Sequence, residues 1–236
     1  MKISFLHQLL DLLAPRFCAV CGQRLSDMER VLCVACNLHL PRTNFQLNAY
    51  DNMMARLFWG TIPVERAAAL FYYETSSSVC NIVYDLKYHN HPEIGREMGR
   101  LMANEFSEAG FFDGIDAIVP VPLAKKRLRQ RGYNQSLCLA EGISRVTGLP
   151  VYNKVICRTT FVKSQTQIDR RERQENVADV FKMKDADAIR GRHILLVDDV
   201  ITTGATTMAC GRELLTAGNV KLSLLSLGFV RIDVEF

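Results

Sequence analysis

The sequence predicts an α/β fold: a mainly parallel sheet with helices on both faces, preceded by a small cysteine-rich module. Three observations predict it. From about residue 63 onward, short strand-like runs alternate with helical periodicity, the pattern of strands joined by crossover helices. The runs at 115–121 and 193–197 are almost continuously apolar, as strands covered on both faces are. Four of the 8 cysteines fall in two CxxC pairs between residues 18 and 36, outside that alternation.

Composition sets the limits. The chain has 236 residues, with 29 Lys+Arg against 25 Asp+Glu and a formal charge of +4. That length suits one medium domain with a small appendage. An apolar share of 48% and a charged share of 23% exclude disorder, collagen and coiled coil as descriptions of the whole chain. No apolar run approaches the ~18 residues of a membrane span. Residues 1–15 read as a short amphipathic helix stopped by Pro15 rather than a secretion signal, because His7, Gln8 and Asp11 interrupt the run and no small-residue cleavage site follows. A cytoplasmic location is expected.

Residues 1–60 then form the N-terminal helix, the cysteine module and a connector, and residues 61–236 the α/β domain. Cys18-x2-Cys21 and Cys33-x2-Cys36 are separated by eleven residues. Each CxxC turn brings two thiolates near one point, and two turns give a tetrahedral S₄ set suited to structural Zn²⁺. Gly22 permits a tight turn after the first pair. Cys80, Cys138, Cys157 and Cys210 sit singly in apolar patterns and read as small core residues. Residues 41–61, with the only tryptophan, Trp59, read as a connector.

Within the α/β part, 66–73 is an apolar, aromatic strand. Ser76–Ser78 caps a helix carrying Val79, Ile82, Val83 and Leu86 on one side. Pro92 opens a helix with Ile94, Met98, Leu101 and Met102 that Gly110 closes. A strand at 115–121 leads to a helix at 136–147 ended by Gly148, and 154–157 is a short strand. The strand at 193–197 precedes a helix from about 205 to 217, with Gly218 as its stop, and 221–230 is the last strand.

The most informative segment is His193-Ile-Leu-Leu-Val-Asp198-Asp199-Val-Ile-Thr202-Thr203-Gly204-Ala205-Thr206. A buried strand ends in two carboxylates, and a Thr/Gly loop then presents backbone N–H groups and hydroxyls at the positive end of a helix. That is an anion site. Ionised carboxylates accept hydrogen bonds only, so Asp198 and Asp199 suit vicinal sugar hydroxyls while the loop holds a phosphate. Lys125, Lys126, Arg127, Arg129 and Arg131 put five positive charges in seven positions after a strand. A basic loop there lies on the ligand side of an open sheet. It can clamp pyrophosphate, with Arg127 and Arg131 foremost, or track a nucleic-acid backbone with Tyr133 stacking a base. The stretch 170–173, also basic but mixed with acid, reads as a solvated helix face.

The phosphate segment resembles the signature of the type I phosphoribosyltransferases. With the cysteine pairs, Tyr72–Tyr73, Lys87-Tyr88, Pro120-Val-Pro-Leu123, Arg127-x3-Arg131-Gly-Tyr-Asn-Gln135, Gln165, Arg173, Asn176 and Phe181, the chain resembles the ComF family from about residue 10 to 228. The resemblance implies a type I phosphoribosyltransferase-like fold with a zinc-ribbon-like module. It implies that Asp198 and Asp199 hold the ribose 2′- and 3′-hydroxyls of phosphoribosyl pyrophosphate, that Thr202, Thr203, Gly204, Ala205 and Thr206 wrap the 5′-phosphate, and that Mg²⁺ rides on the pyrophosphate. It also implies an association with DNA uptake, through single-stranded DNA or a helicase partner. Purine-salvage members of the superfamily often carry an acid where this chain has Thr202. A hydroxyl of ordinary pKa is no general base near pH 7. The residues therefore favour ligand binding over turnover, and transfer to an amine or a nucleobase both remain open.

Overall fold

A computed structural model describes residues 15–159 and 180–231. Residues 1–14 of the expected first helix, Gln165, the basic stretch 170–173 and Asn176 lie outside the described residues.

The N-terminal module is a knuckle built on the bridge between Phe17 and Arg24, followed by α1 (Val34–Leu38). A 3-10 turn (Phe45–Asn48) and α2 (Met53–Arg56) come next. They are no connector. Thr43 N–H donates to Leu70 O at 3.1 Å, Phe45 meets the rings of Tyr72 and Phe229 edge-on at 5.7 Å, and Met54 and Phe58 are fully buried. The few large apolar side chains of this stretch, spaced without a clear period, are a wall of the main core.

The sheet contains β1 (Arg66–Tyr72), β2 (Ala117–Pro120), β5 (His193–Ile201) and β6 (Lys221–Phe229) in the order β1-β6-β5-β2, with every neighbouring pair parallel. Parallel neighbours need crossovers. Here these run through α3 (Cys80–Tyr88), α4 (Pro92–Ser107), α5 (Lys125–Arg131), α6 (Gln135–Thr147) and α7 (Ala205–Leu215). β6 is buried at every position after Lys221, as an interior strand covered on both faces must be.

Pro92 at the first turn of α4 is preorganised for a helix and has no N–H to leave unpaired. α4 and α6 touch backbone to backbone: a Cβ on Gly99 would lie 2.2 Å from Leu139 O, and one on Gly142 2.0 Å from Arg96 O. α6 lies against β2 and β5. The other face is covered by α7 and the 53–62 stretch. Leu222 abuts Gly211 of α7 and Ser226 approaches the Met54 sulfur at 4.0 Å, and residues four apart on a strand share a face.

Two expected elements differ. The strand expected at 154–157 is β3 (Ile156–Arg158), which pairs antiparallel with β4 (Phe181–Met183) in a separate ribbon. β5 does not end at the two carboxylates. It runs through them to Ile201, because Asp198 and Val200 still pair with Ser226 and Gly228. Of the four single cysteines, Cys138 and Cys210 are buried core residues, while Cys80 and Cys157 are only half-buried. Among the described residues, no helix is long and apolar enough to cross a membrane.

Candidate functional site

At the C-terminal ends of β2 and β5, a cleft of about 210 Å³ is lined by Asp198, Asp199, residues 202–207, Lys87, Arg127, Arg131, Ser136 and Arg158. Ligands of open α/β sheets bind at such an end.

Gly204 caps α7 with φ +73° and provides no side-chain cap, so the first N–H groups of an eleven-residue helix face the cleft side of the turn. The requirement for glycine is structural. Besides its left-handed backbone, a Cβ there would lie 2.9 Å from Leu57 and 3.2 Å from Phe58 and Met208. The 53–62 wall thus supports the loop from behind. Thr202, Thr203 and Ala205 are exposed and Thr206 is half-buried.

The two acids have different surroundings. Asp198 Oδ1 accepts from Ser136 Oγ at 3.1 Å and from Asp199 N–H at 2.9 Å, and Oδ2 faces Thr207 Oγ1 at 3.5 Å. Burial, and then the charge of Asp199, push the Asp198 carboxyl up to about 7. Asp199 accepts Val200 N–H at 2.7 Å on one oxygen and faces Lys87 Nζ at 3.2 Å with the other.

The basic segment, expected as a loop, is the helix α5, stopped by Gly132 with φ +77°. Helical spacing splits its charges. Arg127 and Arg131 line the cleft, whereas Lys125, Lys126 and Arg129 are exposed and do not. The residues after it fix this geometry. Arg131 donates to Gln135 Oε1 at 2.9 Å and lies over the Tyr88 ring at 5.5 Å. Asn134 caps α6 by accepting Ser136 N–H at 3.1 Å and donates to Val121 O at 3.0 Å, so it delivers Ser136 to Asp198. Tyr133 does not present its ring for stacking. It packs on the core, its hydroxyl donates to Leu86 O at 2.6 Å, and burial pushes its phenol up to about 12.

Lys87, Ser136, Thr207 and Arg158 were not identified as site residues from sequence. Burial and then the nearby charge of Arg127 lower the pKa of Arg158, placing two cations close together in the cleft. Lys87 carries a sequence signal only through its place beside Tyr88 in the family pattern. The other three carry none, since a serine, a threonine and an arginine in ordinary elements are everywhere.

In the module, the sulfurs of Cys18, Cys21, Cys33 and Cys36 lie within 4.8 Å of one another, with Cys21 and Cys33 at 3.8 Å. A tetrahedron with ~2.3 Å metal–sulfur arms has edges of ~3.8 Å, so the cluster is compatible with a structural zinc site. Cys18 Sγ accepts Cys33 N–H at 3.4 Å, and Cys33 Sγ accepts Cys36 N–H at 3.4 Å. Burial raises the Cys18 thiol, but backbone N–H groups outweigh it and leave it at about 7. Such N–H groups favour thiolate, the form a metal needs. Burial and then its neighbouring sulfurs push the Cys36 thiol up, so the set becomes four thiolates only around a cation. Four sulfurs with no open position fit a structural rather than a catalytic metal.

Comparison with known proteins places the chain. No protein-family model matches it. The DNA utilization protein YhgH of Escherichia coli K12 is 30% identical over 204 residues, covering 85% of each chain. Competence protein ComFC of Bacillus subtilis is 32% identical over 133 residues, 56% of this chain and 51% of that one. The chain belongs to the ComF family. Among solved structures, the glutamine phosphoribosylpyrophosphate amidotransferase of Bacillus subtilis overlaps 59% of this chain and 30% of its own at 19% identity and a TM-score of 0.41. That likeness is too loose to carry an argument, and the fold class of this ComF protein rests on its own parallel sheet and cysteine cluster.

Proposed function

We propose that the cleft binds Mg²⁺-phosphoribosyl pyrophosphate or a related ribose phosphate. The observation that carries this reading is the meeting of opposite charges in one cleft: two adjacent carboxylates, an uncapped helix start, and Arg127, Arg131 and Arg158. A sugar phosphate needs both kinds of partner, acceptors for its hydroxyls and donors for its phosphates. Mg²⁺ arrives on the pyrophosphate oxygens, its usual ligands. In a transfer reaction, the bond from C1 to the pyrophosphate oxygen breaks with its electron pair leaving on pyrophosphate, and an amine or nucleobase nitrogen bonds to C1 and loses its proton. Thr202 is no base for that proton, so binding is better supported than turnover. Zn²⁺ at the four cysteines is the module's resident metal in this reading, in a reducing cytoplasm. Calorimetric titration with phosphoribosyl pyrophosphate and Mg²⁺ tests it: saturable binding is expected, and its absence in zinc-loaded protein refutes it.

A second reading, single-stranded DNA handling with or without a DNA-uptake helicase, is favoured by one observation. Lys125, Lys126, Arg127 and Arg129 have no ion pair among the described residues, and the exposed rings of Tyr84 and Tyr88 lie 4.9 Å apart nearby on α3. The relatives' names, DNA utilization and competence, agree with this reading. Binding is then salt-dependent, with a slope near −0.7 per phosphate neutralised. No binding at 50 mM salt would end this reading for the chain alone.

A further inference from the structure

Lys87 reaches the cleft from outside the basic helix. It sits in the last turn of α3, and its Nζ lies 3.2 Å from Asp199 Oδ2, with side-chain exposures of 23% and 15%. The remaining Asp199 oxygen already accepts Val200 N–H. Asp199 therefore faces an ammonium group with one oxygen and a backbone N–H with the other.

The turn that carries Lys87 is fastened on both sides. Leu86 O accepts the Tyr133 hydroxyl, and Tyr88 lies under the Arg131 guanidinium. Lys87 is thus a flexible arm on a fixed post. Arg131 is held by Gln135 and Tyr88, and Lys87 is the cleft cation that already faces an acid, so it is the one that must change partner when a ligand takes Asp199.

We propose that Lys87 is a specificity-determining residue, making the cleft select a pyrophosphorylated ribose phosphate over ribose 5-phosphate. This rests on the reading of the cleft as a phosphoribosyl pyrophosphate site. A ribose diol that hydrogen-bonds Asp199 takes the place of the ammonium group. A largely buried ammonium left without an anion is costly. Phosphoribosyl pyrophosphate brings a replacement anion at C1, which Lys87 meets as it leaves Asp199. Ribose 5-phosphate carries only a neutral hydroxyl at C1, which can accept a hydrogen bond but brings Lys87 no anion. The Lys87–Asp199 pair taxes every diol equally, and only the pyrophosphate refunds it.

The test is calorimetry of the full chain with Mg²⁺-phosphoribosyl pyrophosphate and, separately, with ribose 5-phosphate. Wild type is expected to prefer the first. In Lys87→Met, affinity for phosphoribosyl pyrophosphate falls while that for ribose 5-phosphate stays level or rises, narrowing the preference by about tenfold or more. Lys87→Arg retains most of the preference, because it retains the charge. Melting curves check the fold, and Lys87→Gln replaces the methionine variant should that one unfold. An unchanged preference, or an equal loss for both ligands, overturns the role of Lys87 while leaving the site reading intact. If wild type binds neither ligand, the site reading fails and this inference with it.

Discussion

The cysteine cluster and the cleft both crowd groups of like charge, and they relieve the repulsion in different ways. The four sulfurs come from one stretch of nineteen residues, surround a point, and are spaced so that a single cation could satisfy all of them. The two carboxylates are relieved piecemeal by partners from elsewhere in the chain. Ser136 is 62 residues away, and Lys87 comes from a different helix altogether. A closed set of donors serves stability. An open one, with a carboxyl pushed up to about 7, gives up its proton reluctantly, because the charge that a ligand can use is one that folding does not want. The difference teaches where each region should fail.

The largest effect is expected in the module. If its four thiolates hold zinc, Cys33→Ser removes a ligand from a site contributing ~10–16 kcal/mol in small zinc modules, and the knuckle should unfold with loss of the metal. Val31 and Leu40 belong to the main core, so the α/β body should lose some stability yet stay folded. Elemental analysis with circular dichroism checks this, and a stoichiometric zinc content in the variant would contradict it.

In the cleft, Asp198→Asn with Asp199→Asn should leave the fold intact and weaken phosphoribosyl pyrophosphate binding a hundredfold or more, at about 1.5–3 kcal/mol for each lost charged acceptor. The single variant Asp198→Asn sharpens the contrast through pH. The folded, ligand-free chain keeps a proton that the unfolded chain releases near pH ~4, so wild-type stability falls as pH rises from about 4 towards 7. The variant should lack that fall and melt higher than wild type at pH 8, even though it binds worse. Ligand affinity, which needs the ionised carboxylate, should rise with pH through the same region more steeply in wild type than in the variant, where only the ligand's phosphate (second pKa ~6) still titrates.

A smaller effect tests whether the cleft depends on the helix pair beneath it. Gly142→Ala drives a methyl group into Arg96 O and should cost about 1–3 kcal/mol or more by overpacking, read from chemical denaturation. Because α6 begins beside Ser136, ligand affinity should drop as well. A module-side metal content that stays unchanged would confirm that the two regions fail separately.

The smallest expected change is Tyr133→Phe. It removes the hydrogen bond to Leu86 O at a cost of about 0.5–1.5 kcal/mol. Stacking is tested by Tyr133→Ala, which removes the ring: DNA binding, measured by fluorescence anisotropy on folded protein, should be unaltered, because the ring packs on the core. A loss of ~1–3 kcal/mol in DNA binding by the folded variant would restore the stacking role that the sequence suggests.

By itself, the sequence determined the α/β alternation, the CxxC pairs and the acid–Thr/Gly segment. Each of these is written in residues close along the chain, where backbone geometry alone brings the groups together. Helix boundaries followed for the same reason: Pro92 and Gly148 act through their own φ angles. Only the tertiary structure decided that residues 41–61 pack several side chains into the core, that α5 divides its cations between cleft and solvent, that Tyr133 is an anchor, that Lys87 and Ser136 meet the two acids, and that Arg158 lines the same cleft. These outcomes depend on the strand order β1-β6-β5-β2, which determines which distant loops share the C-terminal edge of the sheet. Strand order is the result of packing all helices and strands at once, and no local pattern of residues encodes it.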